Sequence, residues 1–181
     1  MKKFPRHIRG FTLIEMIMSI VVIAIVGVIT AVTIYVGVES YLLASRRMGL
    51  TQEARGALVR MVREIRGLDK RMSGSNMVGI ITANVSTFRF LDGSNNDITF
   101  DKSGTTLRRS GDAQATWDVL ANNVSALTFK YYDSSNAELT SVPLSQSNIN
   151  NIRWLSAEVT LTSAGQSVKM RSQVFPRDFG Q

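Results

Sequence analysis

"RGFTLIEMIMSIVVIAIVGVITAVTIYVGV", residues 9–38, is the stretch on which the fold turns. From Met16 to Val38 it carries no charged side chain, and a helix rising about 1.5 Å per residue needs only about 20 residues to cross the hydrocarbon core of a bilayer. A secretory signal peptide has a shorter apolar core, about 7–15 residues, followed by a small-x-small cleavage site. Here the run is longer, and "YVGVESYLLASRRM", residues 35–48, offers no such site. The run therefore reads as a transmembrane helix, with one anomaly: Glu15 stands at its start. An ionised carboxylate inside a bilayer costs about 2.5–3.5 kcal/mol or more unless it finds a partner. Either Glu15 lies near the interface and reaches the headgroups, or another molecule supplies a cation.

Working outward, the charges are unevenly spread. Residues 1–10 carry Lys2, Lys3, Arg6 and Arg9 for +4, which by the positive-inside rule keeps this end in the cytoplasm and sends everything after Val38 across the membrane. Residues 39–72 hold eight basic and four acidic side chains, whereas residues 73–181 hold nine of each. A charge-neutral C-terminal region argues against nucleic-acid binding, because phosphate recognition needs clustered Lys and Arg. The chain has no cysteine, which excludes disulfides, thiolate metal sites and a cysteine nucleophile. Its one histidine, His7, sits among the leader cations and reads as one more of them. No catalytic triad, H-E-x-x-H helix or P-loop can be assembled, so the sequence points to no enzyme, no catalytic residue and no cofactor.

Arg9, Gly10, Phe11, Thr12, Leu13, Ile14 and Glu15, "RGFTLIE", follow a short basic leader and lead straight into the apolar run. This arrangement resembles the N-terminal methylation motif of type IV prepilins and type II secretion pseudopilins. The resemblance implies that a membrane prepilin peptidase cuts between Gly10 and Phe11 and methylates the new amine of Phe11. It further implies that Glu15 forms an assembly salt bridge with the N-terminal amine of a neighbouring subunit. The chemistry is consistent: Gly10 has no side chain to obstruct a narrow protease cleft, and the freed Phe11 amine is the cation Glu15 lacks. A buried ion pair of this kind is a better device for fixing register than for stability. The implied partners are the peptidase, other pilins or pseudopilins, an inner-membrane assembly platform and the lipid bilayer.

Beyond the membrane the pattern stays helical. Leu50, Ala54, Ala57, Leu58, Met61, Val62, Ile65 and Leu68 recur at steps of three and four and mark one apolar stripe. Phe11 to about Arg71 as one helix would be roughly 90 Å long. The arginines from Arg46 to Arg66 fall largely off the stripe. They form either a solvated face near Glu53, Glu64 and Asp69 or a contact surface for acidic neighbours, with Arg46 and Arg47 suited to anionic lipid. Major pilins usually kink the membrane helix with proline and close a C-terminal loop with a disulfide. Here the prolines are Pro5, Pro143 and Pro176 and cysteine is absent, so both departures favour a minor pilin or pseudopilin. Gly27 and Gly37 are the helix's weak points.

At Ser73, Gly74, Ser75 and Asn76 the helix gives way to a linker, and period-two patterns take over. "VSTFRFL", "DITFD", "TTLRRS", "ATWDVL", "VSALTFKYYD", "IRWLSAEVTLT" and "SVKMRSQVF" read as strands, with "DGSNN" a turn. The fold class is α+β and pilin-like: a long N-terminal transmembrane and amphipathic helix packed on a mainly antiparallel β-sheet head. Its divisions are a cleaved leader 1–10, a transmembrane helix 11–38, an amphipathic continuation 39–72 and a periplasmic head 73–181. "DVLANNVSALTFKYYD" followed by a tryptophan, "EVTLT" and "FPRD" is similar to heads of J-type minor pseudopilins.

Within the head, Asp92, Asn95, Asn96 and Asp97 suit a hairpin turn better than a calcium loop, so no metal site is assigned. Trp117, Trp154, Tyr131 and Tyr132 read as core, the alternative being a sugar-stacking surface. Asp118, Asp133 and Glu158 are the acids available for a carboxylate pair, but no spacing joins them. Residues 133–151 read as a long variable loop and the first place to seek a recognition surface. The expected function is a minor pilin or pseudopilin that primes or caps a filament, anchored once in the inner membrane with a cytoplasmic N-terminus and a periplasmic head. The alternatives are a tip adhesin or DNA-uptake receptor on the same scaffold, or a membrane-tethered periplasmic binding protein.

Overall fold

The computed structural model describes residues 11–69, 72–74 and 76–177. Helix α1 runs unbroken from Leu13 to Arg66, 54 residues. Neither Gly27 nor Gly37 interrupts it, and no atom lies within 4 Å of where either would carry a Cβ. The hydroxyls of Ser19, Thr30 and Thr33 donate to the carbonyls of Glu15, Val26 and Ile29 at 2.8, 2.8 and 2.9 Å. These side chains therefore satisfy themselves on the helix and need no polar partner in lipid. Every residue from Phe11 to Gly49 is exposed in the single chain.

The chain divides into two compact units, the first ending at Ala44 and the second beginning at Ser45. In the second unit α1 becomes amphipathic: Leu50, Ala54, Ala57, Leu58, Met61 and Ile65 are buried, as the three-and-four spacing requires. The helix ends at Arg66, short of the Arg71 expected from the apolar stripe. Gly67, a poor helix former, and Leu68 donate to the carbonyls of Glu64 and Ile65, tightening the last turn to i→i+3 bonds. Leu68 then bridges to Asp92, and the Asp69 N–H donates to the Leu91 carbonyl at 3.0 Å. Leu68 is buried on the same stripe but as extended chain.

Two short strands, β1 (Met72–Ser73) and β2 (Asn76–Met77), pair antiparallel. A five-stranded antiparallel meander follows: β3 (Ile80–Ala83), β4 (Thr87–Leu91), β5 (Asp97–Ser103), β6 (Thr106–Ser110) and β7 (Asp118–Ala121), in that spatial order. A second sheet holds β8 (Val124–Tyr132), β9 (Trp154–Ser163) and β10 (Gln166–Val174), also in chain order. Alternation in "TFRFL" places Phe88 and Phe90 inward, opposite Phe100 and Ile98 of β5. The Phe88 ring lies 5.7 Å from Phe129 and 5.8 Å from Tyr131 of β8, centroid to centroid. This aromatic cluster joins the two sheets. It is reinforced by the Phe129 N–H donating to the Val85 carbonyl (2.7 Å) and the Tyr131 hydroxyl donating to that of Asn84 (2.8 Å). Burial pushes the Tyr131 hydroxyl well above its ordinary pKa.

Residues 133–151 are not simply a loop. They contain α2 (Gln146–Asn150), capped by Ser145, and they bury Leu144 and Ile149. The segment is tied to the head because the Met77 N–H donates to Asn150 Oδ1 (2.8 Å) and Gln146 Nε2 donates to the Met77 carbonyl (2.8 Å). The apolar content missing from the sequence pattern is replaced by amide hydrogen bonds across the fold.

Candidate functional site

The site read from the sequence lies at the start of α1. Gly10 and His7 fall outside the described residues; Phe11 and Glu15 fall within them. Thr12 is the residue that sequence reasoning passed over. Its hydroxyl accepts from the Glu15 N–H at 3.4 Å and its carbonyl accepts from the Met16 N–H at 3.1 Å, so it caps the helix. The signal was present in "TLIE", the Thr-x-x-Glu spacing of a capping box. It places Glu15 in the first turn, where the unpaired N–H groups and the positive end of the helix dipole favour a carboxylate.

The helix terminus offsets part of the cost of the acid without neutralising it. Among the described residues the Glu15 carboxylate has no hydrogen-bond or ion-pair partner. Phe11 is 78% exposed. Glu15, Met18, Ser19, Val22 and Ile23, at steps of three and four, line a shallow groove of about 440 Å³ along one helix face. The geometry presents an exposed phenylalanine just ahead of the helix, an acid one helical turn on with no partner among the described residues, and an apolar shaft.

The remaining candidates are engaged in structure. Asp92 accepts from the N–H groups of Ser94 and Asn96 at 2.9 and 2.8 Å and from Asn96 Nδ2 at 2.9 Å. Partial burial alone would raise its pKa, but those hydrogen bonds outweigh it and hold the carboxyl below its usual value. Asp97 is bound by Arg89, with the shortest contact 2.6 Å. The 92–97 segment is thus a self-capped turn, and no group of three or more His, Cys, Asp or Glu among the described residues is arranged to hold a metal.

The three other acids are held apart on different partners. Asp118 lies 3.7 Å from Arg60 and 3.9 Å from Arg109. Asp133 caps its own turn through Ser135 and Ala137, and Glu158 pairs with Lys169 at 2.8 Å. Of the aromatics read as core, Tyr131 alone is buried. Tyr132 and Trp154 stack at 3.8 Å on the outer face with Phe175 beyond, and Trp117 lies half-buried with the Arg108 guanidinium 4.0 Å from its ring centroid. The arginine-bearing face of α1 is mixed: Arg60 pairs with Glu64 at 3.2 Å, and Glu64 also accepts from Arg109 of β6 at 2.7 Å.

No curated protein sequence matches the chain. Residues 5–31 match the family model of the prokaryotic N-terminal methylation motif, so the long apolar helix opens with the signature of type IV prepilins and pseudopilins.

Proposed function

We propose that this chain is a minor pilin or pseudopilin, a structural subunit rather than an enzyme, incorporated at low copy into a type IV pilus or type II secretion pseudopilus to prime or cap assembly. The observation that carries the reading is the methylation motif set at the head of an apolar helix, exposed as far as Gly49, that leads into an antiparallel β head. A membrane prepilin peptidase removes residues 1–10 between Gly10 and Phe11 and methylates the Phe11 amine. Cleavage discards the +4 leader but keeps the anchor, so the subunit waits in the inner membrane with its head, residues 73–181, in the periplasm. The boundaries 11–38 and 39–72 divide lipid-spanning from head-bearing helix in this scheme.

The new Phe11 amine of one subunit pairs with Glu15 of a neighbour as the helix leaves lipid for the filament. Two features support this role: Glu15 lacks a partner among the described residues, and an α-amine placed one turn from a carboxylate becomes available only after cleavage. The absence of helix proline and of cysteine favours a minor subunit, and the β8–β10 sequence pattern suits a J-type pseudopilin head. An adhesin or DNA-uptake role draws no support from the charge-balanced head.

N-terminal sequencing and intact mass of the protein purified from its native membrane test the reading: the mature chain should begin at a methylated Phe11. Gly10→Val should leave the leader attached, because a branched side chain at the cut obstructs the cleft. A native chain beginning at Met1, or normal maturation of the valine variant, would overturn the proposal.

A further inference from the structure

The second unit carries a groove of about 590 Å³ between the exposed side of α1 and strand β10. Arg55, Arg63 and Arg66 project from the helix and Arg177 follows β10; all four are exposed, and none has an ion-pair partner among the described residues. Leu58, Val59, Val62 and Met170 supply an apolar lining, with Val59 60% exposed. None of the residues lining the groove is acidic. β10 ends the three-stranded sheet, so one side of its backbone pairs with no strand among the described residues.

We propose that this groove receives an extended acidic segment of a partner polypeptide, laid alongside β10, in which acidic and apolar residues take turns at every second position. Each part of the groove meets one requirement of such a ligand. The open strand edge offers N–H and C=O groups to an added strand. Every second side chain of an added strand points to the same face, so acidic and apolar residues that take turns at positions i, i+2, i+4 and i+6 are all presented to the groove, the apolar ones to Val59 and Val62 and the carboxylates to the guanidiniums. Guanidinium and carboxylate match as paired donors and acceptors. A bare phosphate or headgroup would satisfy the arginines but leave the apolar lining and the strand edge unused. Arg55, Val59, Val62 and Arg66 recur at steps of three and four, so one helix face presents all of them together.

The test uses the full chain in uncharged detergent micelles and a fluorescein-labelled peptide of repeating Glu-Ser-Val-Ser, in which glutamate and valine alternate on one strand face, followed by fluorescence anisotropy. Saturable binding should weaken by about two- to fivefold for each of Arg55→Gln, Arg63→Gln and Arg66→Gln. N-methylating alternate peptide amides should weaken it further. Arg46→Gln with Arg47→Gln, outside the groove, should leave it unchanged. The proposal is overturned if the triple glutamine variant, with unaltered circular dichroism, binds as before. It is equally overturned if an all-glutamate peptide or inorganic polyphosphate competes as well as the unlabelled alternating peptide, or if phosphatidylglycerol in the micelles displaces it. Binding is measured on the unprocessed chain, so the result is independent of leader removal.

Discussion

Thr99 Oγ1 is buried in β5 with no hydrogen-bond partner among the described residues. A desolvated hydroxyl without a partner costs about 1–3 kcal/mol, and valine has nearly the same shape. Thr99→Val should therefore raise the thermal midpoint, corresponding to roughly 1 kcal/mol of added stability, and calorimetry showing a lower midpoint would expose an undetected partner. Glu15 also has no partner among the described residues, but it lies on an exposed stretch of helix, where a partner from outside the chain can reach it. Glu15→Val should insert and be cut normally yet fail to enter filaments; unchanged recovery in sheared filaments would remove its pairing role. Glu15 was legible in the sequence because a charge in an apolar run needs no tertiary knowledge to stand out. Thr99 was not, because burial on the outer face of a sheet depends on which side chains fold over it.

At the scale of elements, the strand pattern was readable wherever aromatics alternate, as in Phe88 and Phe90 facing Phe100 and Ile98. α2 escaped notice because its segment buries few apolar side chains and is held by Gln146 and Asn150 instead, whose partner Met77 lies far away in the chain. The early end of α1 also escaped, since the apolar stripe continues through Leu68 while the backbone has already turned to meet Asp92. The β9–β10 hairpin makes its own prediction. Ala164 and Gly165 both adopt positive φ, 48° and 76°, between the paired residues Ser163 and Gln166. That is the two-residue turn for which Asn-Gly is preferred, and alanine is strained there. Ala164→Asn should stabilise the head by about 0.5–1 kcal/mol, seen as a higher midpoint in urea at unchanged slope.

For the whole molecule, the two units differ in what they leave uncovered. Up to Ala44 every described side chain is exposed and most are apolar, whereas from Ser45 onward the helix supplies buried side chains to a common core. A chain beginning at Ser45 should remain monomeric in gel filtration without detergent and keep the circular dichroism of its sheets, while the full chain should require detergent. Aggregation of the shorter chain would show that the head depends on the preceding helix. The groove was hidden from sequence reading for a topological reason. Arg177 and the arginines of α1 are far apart in the chain, and only the placement of β10 brings them to one surface.

The bonds from Asp69 to Leu91 and from Gly93 to Gly67, at 3.0 and 3.1 Å, fasten the chain just past α1 to the end of β4 and the turn that follows it. Backbone bonds therefore carry on the attachment between helix and sheet where the apolar stripe runs out. That corner of the molecule is thus closed by main-chain atoms, which side-chain substitution cannot remove.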